Sequence, residues 1–164
     1  MIRVVLALDE VEDPQNFGAL LRSSFFLGCH AVVTCAKNSA PLTPAVSKAS
    51  AGALELMSVY STENMMNWLD QCKENGWQVV GTALSESAIP FKELPRDKPT
   101  ILVLGNEGHG IRTNILRRCD HLVTISKSAP GSEMSPVAGA DGVDSLNVSV
   151  TGGILLQHFI SGSK

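Results

Sequence analysis

Short apolar runs rich in β-branched residues recur along the chain at 3–8, 31–35, 56–60, 78–82, 100–104 and 122–125. Such runs, bounded by glycine, proline, asparagine and serine, are strand signals. Between them apolar residues recur at helical spacing over 16–27, 44–51, 63–75, 111–118 and 146–160. Strands alternating with helices predict an α/β domain with a mostly parallel sheet. The near-continuous hydrophobicity of 4–8 and 101–104 predicts central strands covered by helices on both faces. Two stretches read as loops: 85–99, with prolines at 90, 95 and 99, and 126–144, rich in glycine, serine and proline. The second is long for a compact domain, and loops of that length often carry function.

Composition narrows the class. With 164 residues and no second composition regime, one domain is expected. No apolar run approaches the roughly 20 residues needed to span a bilayer, so no membrane partner is expected. Cys29, Cys35, Cys72 and Cys119 form no Cys-x-x-Cys pair and show no zinc-ligand spacing, which predicts reduced thiols in an intracellular protein and no metal. The formal net charge of −3 runs against a nucleic-acid enzyme, whose phosphate contacts usually leave a basic excess. An RNA-directed reading therefore needs a local basic patch or a separate RNA-binding segment.

Three motifs carry candidate chemistry. Asp13-Pro14-Gln15-Asn16-Phe17-Gly18-Ala19, followed by Arg22 and Ser23, is a helix start with Asn16 as its expected cap and Arg22 in the second turn. An arginine near the end of a parallel sheet can clamp a phosphate through its fork of donors, or can be a solvated surface charge. Leu104-Gly105-Asn106-Glu107-Gly108-His109-Gly110 follows a buried strand. Its glycines let backbone amides approach a ligand, or simply make a turn. The order Gly-x-x-Gly-x-Gly matches neither the dinucleotide fingerprint nor a P-loop. Glu107 can accept hydrogen bonds from a ribose hydroxyl or an amine, or can be solvated. Ser145-Leu146-Asn147-Val148-Ser149 suits a helix start that offers donors to a ligand, or capping alone. The four histidines have no metal or triad spacing, and the Gly-x-Ser-x-Gly nucleophile elbow is missing.

All three motifs, in this order, resemble the SpoU or TrmH branch of the SPOUT methyltransferases: Asp13-Pro14-x-Asn16-x-Gly18-Ala19-x-x-Arg22-Ser23, then 102–108, then 145–149. Within that family, Asn38-Ser39-Ala40-Pro41-Leu42-Thr43-Pro44 and the following Ser47-Lys48-Ala49-Ser50-Ala51-Gly52-Ala53 are most similar to the mitochondrial large-subunit rRNA guanosine 2′-O-methyltransferases, with their bacterial counterparts close behind. The resemblance implies a trefoil knot in the C-terminal part, a homodimer with the site at or near the subunit interface, RNA as substrate and S-adenosylmethionine as cofactor. It implies that Leu104, Gly105, Asn106, Gly108, Ile125, Leu146, Asn147 and Ser149 surround the cofactor. Asn16, Arg22, Glu107, Ser145 and Asn147 would complete the catalytic site. An N-terminal RNA-binding domain is expected outside this chain, and the mitochondrial matrix, or otherwise the cytoplasm, as its compartment. The stretch between Ile125 and Ser145 is lengthened relative to compact members.

The implied reaction is in-line attack of a ribose 2′-oxygen on a sulfonium methyl, for which alignment is the larger contribution. Arginine is a poor proton acceptor because the guanidinium keeps its charge in proteins, so Arg22 is read as a phosphate clamp. Two rivals differ in class. A nucleotide-dependent oxidoreductase would need the missing fingerprint, and a catalytically silent RNA-binding or assembly module would bind RNA without the methyl donor.

Overall fold

The structure, a computed structural model, describes residues 2–126 and 145–162. In chain order the elements are β1 (Val4–Asp9), α1 (Pro14–Leu27), β2 (Ala31–Cys35), α2 (Pro44–Ala49), a 3-10 turn (Ala53–Glu55), β3 (Val59–Thr62) and α3 (Met65–Glu74). There follow β4 (Gln78–Thr82), β5 (Ile89–Pro90), a second 3-10 turn (Phe91–Glu93), β6 (Thr100–Gly105), α4 (Thr113–Leu116), β7 (His121–Thr124) and α5 (Val148–Ser161). The strands form one sheet in the order β3-β2-β1-β6-β4-β7-β5, and every pairing is parallel.

The continuous apolar strands divide their side chains between two cores, because successive residues of a strand face opposite ways. Val4, Leu6 and Leu8 of β1 and Leu102 and Leu104 of β6 pack with Phe17, Leu20 and Leu21 of α1 and Leu155, Leu156 and Phe159 of α5. Ala7, Ile101 and Val103 pack on the other face with Met65 and Leu69 of α3 and Ile115 of α4. Both faces are thus covered, as the sequence predicts. Two helices approach α1 very closely: a Cβ on Gly152 of α5 would lie 2.3 Å from Leu20 Cδ2 of α1, and one on Gly18 of α1 would lie 2.4 Å from Ala49 Cβ of α2.

Four expectations need correction. The cap of α1 is Asp13, not Asn16: its carboxylate accepts from the backbone N–H of Gln15 and Asn16, and Pro14 occupies the first helical position, where its fixed φ and missing N–H are harmless. Arg22 consequently lies in the third turn, one later than expected. The strand expected at 56–60 is Val59–Thr62, since Leu56 is the C-cap of the first 3-10 turn. The loop expected at 85–99 contains β5 and the second 3-10 turn. Pro90 is tolerated there because β5 is an edge strand. The long loop expected at 126–144 lies, apart from Ser126, outside the described residues, as does part of the path that a trefoil knot would follow. Among the described residues no helix is long and apolar enough to cross a membrane.

Candidate active site

Adjacent parallel strands whose following helices go to opposite faces open a crevice at their carboxyl ends. Here β1 leads into α1 on one face and β6 into α4 on the other. The space between them is filled: Asp9, the last residue of β1, is fully buried and takes three hydrogen bonds from Arg112. The Arg112 backbone N–H reaches Asp9 Oδ2 at 2.8 Å, while Nε and Nη2 reach Oδ1 at 2.9 and 2.7 Å. Glu10 sits at φ 62°, with Oε1 3.4 Å from Arg112 Nε and 3.4 Å from Asn38 Nδ2. The Asp9 carboxylate, hydrogen-bonded to the Arg112 guanidinium, is the largest influence raising the pKa of that arginine.

The open cavity lies one strand further along, over the ends of β4, β6 and β7 and the start of α5. It has a volume of about 970 Å³. Leu104, Ile111, Leu116, Val123, Ile125 and Leu146 supply much of its apolar lining. A cavity with apolar walls, strand-end backbone groups and few charges suits a small organic ligand.

The glycine loop after β6 forms one wall, and its own side chains hold it in shape. Asn106 Oδ1 accepts from the backbone N–H of Gly108 at 2.8 Å and of His109 at 3.3 Å, and Asn106 Nδ2 donates to the Glu10 carbonyl at 2.8 Å. The Asn106 and Gly110 main chains bond to each other in both directions at 3.0 Å. The loop folds back so tightly that a Cβ on Gly105 would lie 2.2 Å from Gly110 C and Ile111 N. Glu107 reaches across to the turn before α1: Oε1 accepts from Asp13 N at 2.9 Å and Oε2 from Glu12 N at 3.3 Å. The start of α5 forms the opposite wall. Asn147 is its N-cap, accepting from Ser149 N at 2.8 Å and from the Ser149 hydroxyl, while its Nδ2 donates to Asn16 Oδ1 at 3.1 Å.

Of the residues expected around the cofactor, Leu104, Gly105, Asn106, Gly108, Ile125, Leu146 and Asn147 line the cavity. Ser149 does not, being turned into the cap of its own helix. Of the expected catalytic residues, Glu107, Ser145 and Asn147 line it, and Asn16 stands behind Asn147. Arg22 is exposed on α1 and does not line it. Sequence reasoning missed Thr82, Leu84, Ser85, Thr124, Ser126 and Thr151, all in the lining. All but Thr151 lie at or within three residues of the carboxyl ends of the strands expected at 78–82 and 122–125, so the rule that ligands gather at carboxyl ends of parallel strands was the available signal. Also missed was the Asp9–Arg112 pair, because no motif connects residues so far apart in sequence.

This fold is shared with a TrmH-family protein from Porphyromonas gingivalis, at 30% identity and a TM-score of 0.83 over 99% of this chain and 61% of that one. It is also shared with the A. aeolicus TrmH/SpoU tRNA modifying enzyme, at 26% identity and a TM-score of 0.81 over 98% and 75% of the two chains. In sequence, the chain is 44% identical to human rRNA methyltransferase 1, mitochondrial, over 97% of its own length and 46% of the relative's. It is 38% identical to the 23S rRNA (guanosine-2'-O-)-methyltransferase RlmB of Pseudomonas syringae pv. tomato, over 93% and 56%. The chain therefore spans about half the length of these two relatives. The SpoU rRNA methylase family model matches residues 3–157, a span that takes in all three motifs and every wall of the cavity: this chain belongs to the SpoU rRNA methylase family.

Proposed function

We propose that this domain transfers a methyl group from S-adenosylmethionine to a ribose 2′-hydroxyl of RNA, a guanosine of mitochondrial large-subunit rRNA, and that it works as a homodimer. The observation that carries the reading is the cavity itself, whose walls are the second and third family motifs and whose support is the first. The names of the human and Pseudomonas relatives support an rRNA substrate, and the bacterial name a guanosine 2′-oxygen.

The residues present fit the cofactor. About 970 Å³ lies at the upper end of the roughly 300–1,000 Å³ usual for small-molecule sites, and Ile125 and Leu146 offer apolar surface to an adenosine, with the buried Leu104 behind the wall. The missing Cβ at Gly105 lets the loop fold back on itself, which shapes the wall that the cofactor would meet. The cofactor supplies an electrophilic methyl on a sulfonium centre. What the chain contributes is alignment and exclusion of water. Glu107 and Asn147 act by holding the two walls in register, the one through the turn before α1 and the other through Asn16. Ser145, exposed at the mouth, is placed to meet the substrate ribose.

Arg22 shares an exposed face of α1 with Phe25 and Phe26, at i, i+3 and i+4; the phenylalanines are 47% and 86% exposed. Arg22 makes no ion pair among the described residues. Two exposed aromatic rings beside an unpaired guanidinium fit a subunit contact that carries Arg22 toward the site of the second copy, where it clamps the substrate phosphate. Titration calorimetry of the domain with S-adenosylmethionine, its demethylated product and NAD as control tests the reading. Micromolar binding of the methionine compounds alone, followed by methylation of a large-subunit rRNA fragment, is expected. RNA binding with no cofactor binding would leave the silent module in its place.

A further inference from the structure

Among the described residues Asp9 is the one carboxylate with no exposed surface, and the functional reading leaves it without a task. A buried ionised group is costly unless it is paired and hydrogen-bonded, and leaving one partner unpaired is strongly unfavourable. Asp9 is satisfied chiefly by Arg112, which presents its backbone N–H to one carboxylate oxygen and its Nε and Nη2 to the other. A thiol also faces the pair: Cys35 Sγ lies 3.7 Å from Asp9 Oδ1 and 3.7 Å from Arg112 Nη2.

The position of this pair is informative. Asp9 is in register with Gly105 across the β1–β6 pairing, so it stands beside the point where the glycine loop leaves the sheet. Arg112 stands where the loop ends, directly after Ile111 in the cavity wall. The next residue of each strand repeats the tie, the Glu10 carbonyl accepting from Asn106 Nδ2 at 2.8 Å. The loop from Gly105 to Ile111 is therefore fastened to the end of β1 at both its departure and its return. Arg112, offset by Asp9 and Glu10, is a poor candidate for an RNA phosphate; its charge is already answered inside the protein.

We infer that Asp9 and Arg112 are positioning residues that hold the glycine loop in the form that receives the adenosine side of the cofactor. The inference rests on the proposed function for the identity of the ligand and on the geometry alone for the clamp. Since neither side chain lines the cavity, they act through the loop: weakening the tie should lower cofactor affinity and leave the methyl-transfer step at saturation nearly untouched.

The test compares wild type, Arg112→Met, Arg112→Lys and the near-isosteric Asp9→Asn, with Arg118→Met as control. Arg118 pairs with Asp70 at 3.1 Å and is likewise partly exposed, but is not tied to Asp9. Calorimetry gives the dissociation constant for S-adenosylmethionine, steady-state kinetics give KM and kcat, and amide hydrogen exchange follows Gly108, His109 and Gly110 against β6. Arg112→Met is expected to raise the dissociation constant and KM about tenfold or more, with kcat within about twofold. It should also speed exchange in the loop while β6 stays protected. Arg112→Lys, which keeps the charge and loses the fork, should recover part of the affinity. The inference is overturned if Arg112→Met and Asp9→Asn bind like wild type with unchanged loop exchange, if kcat falls at constant KM, or if Arg118→Met does the same damage. A wild-type domain that binds no S-adenosylmethionine would sink the functional reading alone, because loop exchange in Arg112→Met still decides whether the clamp exists.

Discussion

The carboxyl edge of the sheet is built in two opposite ways. Over β1 and β2 it is closed, with Asp9, Glu10 and Cys35 joined to Arg112 by hydrogen bonds and ion pairs and Asn38 joined in turn to Glu10. Over β4, β6 and β7 it is open, a cavity with largely apolar walls. The switch between strands leading to opposite faces, where the general rule for open parallel sheets would put a ligand, is the closed part. Polar side chains that could have met a ligand at the switch are used instead to fasten the neighbouring loop, and the ligand space moves across to the next strands. The lesson is that charge density along a sheet edge can mark the scaffold, while the open half is quieter.

The contrast breaks most sharply at Gly105. Adding one methyl as Gly105→Ala puts it 2.2 Å from the Gly110 and Ile111 main chain, so the wall must shift, and overpacking of this kind costs about 1–3 kcal/mol. Cofactor binding is expected to weaken by about 100-fold or more, read by calorimetry, with circular dichroism showing the sheet intact. Arg22, outside both halves, should behave differently from either. Arg22→Ala is expected to cut turnover on rRNA fragments about tenfold or more and to lower the salt dependence of RNA binding by about one ion, with cofactor affinity unchanged. Arg22→Lys turning over at the wild-type rate would show that the guanidinium fork is not required.

On the opposite wall, Asn147→Ala removes the cap of α5 and its bond to Asn16. Loss of about 1 kcal/mol should appear as a fall in Tm of about 2–4 °C, with a modest rise in KM for the cofactor. The smallest effect belongs to His158, far along α5 from the cavity. Burial among Phe91, at 5.0 Å between ring centroids, and Phe159, at 5.1 Å, pushes the imidazole pKa down, and the charges of Arg96 and Lys92 push the same way. The unfolded chain therefore takes up this proton first as pH falls. The stability that His158 contributes is full above the ordinary histidine pKa of about 6.5 and declines below it as the folded pKa is approached. Melting curves between pH 5 and pH 8 should show a shallow slope that His158→Gln flattens.

The sheet was legible because its central strands carry an unbroken apolar signal: Leu102 and Val103 need cover on both faces wherever they sit. The cavity walls were legible through the glycine loop and the Ser145–Ser149 motif. The cap was misread because Asp13 and Asn16 are both good caps and only the placement of Pro14 separates them. β5 escaped detection since two residues carry no periodicity at all. The clamp was beyond reach for another reason: Asp9 and Arg112 lie 103 residues apart, and by themselves the one looks like an ordinary end-of-strand charge and the other like a charge before a short helix.

That distance matters before the protein ever meets a ligand. β1 lies between β2, which follows it closely, and β6, whose residues pair with it across nearly a hundred positions, Val4 with Thr100 and Asp9 with Gly105. Closing so long a stretch of chain is entropically slow, and parallel pairings give no early local reward. The wall that the glycine loop makes depends on that pairing, because the loop leaves the sheet at Gly105 beside Asp9. Slow refolding is the expected kinetic cost of placing the strand partner so far downstream.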